Sequence, residues 1–233
     1  MKCLFITGFN SHPDERDGYN AYKLFELLYR KSPDTLELFR YKTYENGEDV
    51  LRRLKKQIYK SNYDVVIAHS LGSAFLYRLL NDEHIQPILQ KAHRLVLLMP
   101  MLYIDPCANL VFNFTSITDI PIPIALFMPS SKLASDGNYL KNDSQLVVCK
   151  QLKYAYNNLM PTSSSDAVST INSFPNMRIM VAQNDTIAKP MPVVYMKQIN
   201  AERLFVLRNG LHEGFRSPDT QEQFFDLYDE MLQ

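Results

Sequence analysis

The stretch "VVIAHSLGSA", residues 65–74, runs three aliphatic residues into His69-Ser70-Leu71-Gly72 with no charge or proline between them. An apolar run of strand length meets "LGSAFLYRLL" (71–80), which has the length and composition of a helix. Ser70 stands at the junction, and two readings are open. A serine before the first helical residue is a favoured N-cap, its oxygen accepting from an otherwise unpaired backbone N–H. The same serine also fits the form small-x-Ser-x-Gly, in which a strained strand-to-helix turn lifts a hydroxyl above the strand ends. That form needs small residues two before and two after, because backbones approach closely there, and Ala68 and Gly72 meet the need. In it the N–H of Leu71, at the helix start, faces a developing oxyanion, with the positive end of the helix dipole behind it. The five residues alone do not choose.

Outward from this junction the same rhythm repeats. "CLFITG" (3–8), "TLELFRYKTY" (35–44), "RLVLLMP" (94–100), "MRIMVAQ" (177–183) and "RLFVLR" (203–208) read as further strands. Helical stretches fall between them at 19–30, 47–59 and near 190–199, and a last one runs through "SPDTQEQFFDLYDEML" (217–232), with Ser217 as N-cap and Pro218 at N1. The first helix puts Tyr22, Phe25 and Tyr29 on one face, and the second does so with Leu51, Leu54 and Ile58. Strands apolar at every position are buried on both faces, and strand–helix alternation implies right-handed crossovers. The expected fold is therefore α/β: a six-stranded, mostly parallel open sheet with helices on both faces. Residues from about 103 to about 165 break the rhythm, with the proline-rich "DIPIPIALFMP" and a helical stretch over 145–160. So long an interval between core strands reads as an inserted cap or lid in a single domain spanning 1–233, placed where open α/β sheets bind ligands.

Composition narrows the function classes. With 25 basic and 25 acidic residues in 233, nothing favours nucleic acid or an anionic membrane surface. No apolar run is long enough to cross a bilayer, so no stable membrane insertion is expected. The opening "MKCLFITGFN" is too short an apolar run for a signal peptide, and the expected location is cytoplasmic. Cys3, Cys107 and Cys149 are far apart and lack C-x-x-C spacing, which argues against a zinc site or a disulfide framework. No glycine-rich phosphate loop follows a strand, so nucleotide binding is disfavoured.

What separates the two readings of Ser70 is its possible partners. A serine hydroxyl attacks a carbonyl only when a histidine takes its proton, and a carboxylate must orient that histidine. Asp185 follows the strand over 177–183, in "NDTIAKP", and His212 follows the strand over 203–208, in "NGLHEGF". In a parallel sheet both would open on the same edge as Ser70. Asp105, past the strand over 94–100, is an alternative acid, although "IDPC" also reads as an ordinary turn. Gly8, Gly72, Gly210 and Gly214, four of only 7 glycines, lie beside these segments. His69 reads as a packed bystander pointing away from Ser70. His12 reads as a surface residue, as do His84 and His93, and the side chain of Glu213 is expected to project away from the site.

With "AHSLGS", "AQNDTIAKP" and "NGLHEGF" in this order, the sequence resembles the α/β-hydrolase superfamily, in particular its small serine esterases. The loop "TGFNSH" (7–12) is similar to the family's oxyanion loop, which implies that the N–H of Phe9 is a second oxyanion donor beside that of Leu71. Thr7 stands where histidine is common in the family. The implied activity is hydrolysis of a small-molecule carboxylic ester or thioester through an acyl-enzyme, with Ser70 as nucleophile, His212 as base and Asp185 as acid, and with no cofactor or metal. An acyltransferase or lipase with the same triad is the alternative within enzymes. A non-hydrolytic ligand receptor or interaction protein on the same fold is the alternative outside them.

Overall fold

Strand β3 (Val65–His69), the strand of the opening stretch, is buried at every position and lies inside a six-stranded sheet. The computed structural model describes residues 1–9, 19–31, 35–41, 45–103, 122–123, 146–147 and 154–233. Its main-sheet strands are β1 (Cys3–Ile6), β2 (Leu36–Phe39), β3, β4 (Arg94–Leu98), β7 (Met177–Ala182) and β8 (Leu204–Leu207). They lie in the order β2-β1-β3-β4-β7-β8. Every pairing is parallel, with Ile6 opposite both Phe39 and Ala68, and His69 opposite Leu98. The chain steps from β1 to β2 through α1 (Tyr19–Lys31), then returns past β1 to β3 through α2 (Gly47–Lys60). The reversal puts a switch point at the ends of β1 and β3, where side chains from separate loops can converge.

Alternation along the strands divides the core. Leu4, Ile6, Val66, Ala68, Leu95, Leu97 and Ile179 pack toward α2, α3 (Leu71–Leu80), α4 (Gln86–Lys91) and α5 (Ser164–Asn172). Phe5, Val65, Ile67, Val96, Leu98 and Met180 pack toward α1 and the C-terminal helix α7 (Pro218–Leu232). Both faces are covered, which is why these strands carry apolar residues throughout. Between β7 and β8 the helix expected near 190–199 is one turn, α6 (Val193–Met196). Ser217 stands at the N-cap of α7 with Pro218 just inside it, as expected.

Helix faces differ in detail from the periodicity reading. On α1 the buried residues are Leu24 and Leu28, while Phe25 is half-buried and Tyr29 is 43% exposed. The two rings stack along the helix flank at 5.5 Å, and Phe25 reaches Phe5 at 6.3 Å, so the aromatics cover the rim while leucines meet the sheet. The side chain of Tyr22 lies outside the described residues. On α2, Asn46 caps the N-terminus by accepting from the N–H of Glu48, and Val50 joins Leu54 and Ile58 in the core while Leu51 is half-buried.

Most of the expected cap lies outside the described residues, Asp105 and the greater part of "DIPIPIALFMP" among them. Within the interval, β5 (Ile122–Pro123) pairs antiparallel with β6 (Leu146–Val147), apart from the main sheet. The helix expected over 145–160 therefore does not begin as a helix: Leu146 and Val147 spend their backbone groups on a strand partner. A π-helical turn spans Ala155–Leu159. No described helix is long and apolar enough to cross a membrane.

Candidate active site

Ser70 adopts φ 51° and ψ −121°, a left-handed conformation rare for a side-chain-bearing residue and costing about 1–3 kcal/mol. Backbone bonds hold it there. Its N–H donates to the Leu98 carbonyl (3.0 Å), and its carbonyl accepts from the N–H groups of Ser73 (3.0 Å) and Met101 (3.2 Å). Ser70 occupies the N-cap position of α3, yet its side chain makes no capping hydrogen bond. Its hydroxyl lies instead 2.9 Å from His212 Nε2. The small-residue requirement is also real. A Cβ on Gly72 would collide with the carbonyl oxygens of Thr7 and Ile6, and one on Gly8 would lie 3.0 Å from Ser70 Cβ. The loop after β1 thus rests directly against the serine.

Asp185 and His212 arrive from the ends of β7 and β8. Asp185 Oδ2 is 2.7 Å from His212 Nδ1. Its other oxygen accepts from the backbone N–H groups of Ile187 (2.8 Å) and Ala188 (2.9 Å), which fixes the carboxylate plane. A carboxylate only accepts, so Nδ1 carries the proton, Nε2 presents its lone pair, and the Ser70 hydroxyl donates to it. All three side chains are buried, Ser70 the most exposed at 7%. The two loops are tied together: the Gln183 N–H donates to the Leu207 carbonyl, the Asn184 N–H to the Gly210 carbonyl, and the Asn209 N–H to Gln183 Oε1. Asn209 takes a positive φ of 56°, which asparagine tolerates better than most residues.

The remaining expected residues fall as follows. Leu71 is the fully buried first residue of α3, and Phe9, half-buried, follows the glycine that abuts Ser70. Asp105 lies outside the described residues, as does His12; His84 and His93 are exposed. His69 is packed, as expected, and its neighbour is the ring of His212. The buried His69 ring lies 5.3 Å from the ring of His212 and 5.9 Å from that of Phe215, and neither of its nitrogens meets the geometry of a hydrogen bond among the described residues. Burial, and after it the neighbouring His212, push its pKa well below 6.5, so the ring is neutral. Glu213 is buried, with its carboxylate 3.6 Å from the Arg216 guanidinium. No local pattern announces the His69 contact, because it depends on how the His212 loop folds onto β3, whereas Glu213 and Arg216 are three residues apart in one turn. Among the described residues no group of three or more His, Cys, Asp or Glu side chains is arranged to hold a metal ion.

The six-stranded parallel architecture that carries this arrangement has counterparts among solved structures. A monoacylglycerol lipase from Paleococcus ferrophilus superposes with a TM-score of 0.68 at 16% identity, over 99% of this chain and 93% of that one. The chain has the α/β-hydrolase fold. MenH from S. aureus is similar at TM-score 0.61 and 14% identity, over 100% and 93% of the two chains. A carboxylesterase structure from Nitrososphaera gargenis gives 0.59 and 12%, over 98% and 88%. No protein-family model matches the sequence, and no curated protein does. The likeness to these α/β-hydrolase structures is thus one of backbone architecture.

Proposed function

We propose that this protein is a serine hydrolase that cleaves a small-molecule carboxylic ester or thioester through an acyl-enzyme. The observation that carries the reading is the unbroken chain from Ser70 Oγ to His212 Nε2 and from His212 Nδ1 to Asp185, built on a backbone conformation that costs energy to hold. The lipase and carboxylesterase identities of structural neighbours are in keeping with it.

In the proposed mechanism Ser70 Oγ attacks the carbonyl carbon while His212 Nε2 takes the hydroxyl proton. Asp185 stabilises the imidazolium so formed and holds its orientation. The N–H groups of Phe9 and Leu71 stabilise the oxyanion of the tetrahedral intermediate, which collapses as His212 returns the proton to the leaving alcohol or thiol. Water, deprotonated by the same nitrogen, then attacks the acyl-enzyme, releasing the acid and restoring Ser70. The interval from about 103 to about 165 is proposed to cap this site and to set the acyl group accepted.

The test is covalent labelling by a fluorophosphonate together with turnover of p-nitrophenyl esters of graded acyl length. Ser70→Ala should abolish both, and Asp185→Asn should lower kcat by about 10⁴-fold by favouring the wrong histidine tautomer. Turnover that survives Ser70→Ala would remove the assignment.

A further inference from the structure

Tyr41 stands two residues past the end of β2. Its side chain is 2% exposed, wedged between Phe75 of α3 (ring centroids 5.3 Å, edge-on) and Phe39 of β2 (6.3 Å). A hydroxyl carried into such surroundings costs free energy unless it is paired. The Tyr41 hydroxyl donates to the backbone carbonyl of Thr7 at 2.8 Å in a buried bond. Burial raises the phenol pKa, so the group remains a donor across the working pH range.

Thr7 is the residue before Gly8 and Phe9. Its carbonyl accepts from the Tyr41 hydroxyl and lies close against Gly72, where an added Cβ would come within 2.4 Å of the oxygen. A trans peptide is planar, with C=O and N–H on opposite sides, so a fixed Thr7 carbonyl fixes the Gly8 N–H and the plane in which the chain enters the Gly8–Phe9 turn. Were that peptide to rotate, its oxygen would be freed to swing about the β1 end, and Phe9 would lose its alignment. Hydrogen-bond donors aimed at an oxyanion act only when held in place before the charge develops.

We propose that Tyr41 is a positioning residue for the oxyanion hole: its hydroxyl locks the Thr7–Gly8 peptide and so orients the Phe9 N–H. This rests on the serine-hydrolase reading. It assigns to a core tyrosine on β2's C-terminal side an effect on turnover that packing alone does not give.

The experiment compares wild type, Tyr41→Phe and Tyr41→Met, both lacking the hydroxyl, with Phe75→Leu, which loosens the same packing but leaves the bond intact. The readouts are kcat and KM for a p-nitrophenyl ester, the inhibition constant of a trifluoromethyl ketone (which forms a tetrahedral oxyanion on the serine), and amide hydrogen exchange at Gly8 and Phe9. With the hydroxyl gone, kcat should fall about tenfold or more, less than the roughly 10²–10³ of deleting a donor outright. Ketone affinity should weaken in step, KM should stay within about twofold, and the two amides should exchange faster. Phe75→Leu should lower the unfolding midpoint with kcat nearly unchanged. Turnover and exchange like wild type in the Tyr41 variants would overturn the proposal, as would an equal loss of kcat in Phe75→Leu. A wild-type chain inert to ester and ketone would instead bring down the hydrolase reading. Faster Gly8 and Phe9 exchange in the Tyr41 variants would then still uphold the hold on the loop, and unchanged exchange would end that too.

Discussion

His69 shows what a single residue does when burial overrides its usual chemistry. Adjacent to Ser70 in sequence, it packs its ring on those of His212 and Phe215, with both nitrogens unpartnered among the described residues. Its folded pKa lies well below the 6.5 of a free side chain, because burial penalises the charged form and His212 adds to the penalty. Below about pH 6.5 the unfolded chain therefore takes up a proton that the folded chain refuses. The contribution to stability is complete above that pH and is lost as pH falls through the region beneath it. Wild type should lose more of its urea midpoint between about pH 7.5 and about pH 5 than His69→Phe does. Equal losses in the two proteins would show that His69 does not control this acid sensitivity. At this scale the sequence left Ser70 ambiguous, since an N-cap and a nucleophile call for the same residue at the same junction. The backbone torsion and the absent capping bond speak against the N-cap, and support the nucleophile proposed above.

Among the elements, the strands were legible because each is a short apolar run ended by turn residues, and all six main-sheet strands fall where such runs occur. The buried face of α1 was not. Aromatic residues at helical spacing look like a core stripe, but leucines lie against the sheet and the rings lie along the rim. Tethers between elements were also invisible. Arg203, in the short turn before β8, donates to the Phe174 carbonyl (3.0 Å), to the Ile171 carbonyl (3.4 Å) and to Asn172 Oδ1 (3.0 Å), satisfying the C-terminal end of α5. Charged hydrogen bonds of this kind contribute about 1.5–3 kcal/mol when buried and less where solvent reaches them. Arg203→Met should accordingly lower stability by about 1–2 kcal/mol in urea denaturation, with kcat unaltered because the tether lies before the starts of β7 and β8, at the end of the strands opposite Asp185 and His212. A drop in kcat of the same size as that of Asp185→Asn would contradict this.

For the whole molecule, the site depends on a C-terminal helix that contributes no side chain to the proposed chemistry. Helix α7 holds the His212 loop from behind. Thr220 Oγ1 donates to the Gly214 carbonyl (2.9 Å), Gln221 Nε2 donates to the Phe215 carbonyl (2.9 Å), and Phe224 packs on Phe215 at 5.7 Å. Phe215 in turn touches His69, so packing runs unbroken from α7 to the residue beside the serine. Phe224 is fully buried, and Phe224→Ala should cost about 3–5 kcal/mol. It should also slow fluorophosphonate labelling, because the loop carrying His212 loses its backing; labelling at the wild-type rate in a folded Phe224→Ala protein would separate the helix from the site.

The sequence by itself determined that the chain alternates strand and helix, that its central strands are buried on both faces, and that a serine, an aspartate and a histidine stand in that order just past three strands. Those are local properties, set by apolar periodicity and by what a chain must do where a strand stops. Only the tertiary structure decided that the Ser70 hydroxyl faces His212 rather than α3, that His69 lies against the same ring, and that Tyr41 grips the Thr7 carbonyl. Each of these joins residues brought together by the order β2-β1-β3 or by the folding of the β8 loop onto β3. Periodicity says which side of a strand faces the core; it carries no information about which distant side chain will be met there.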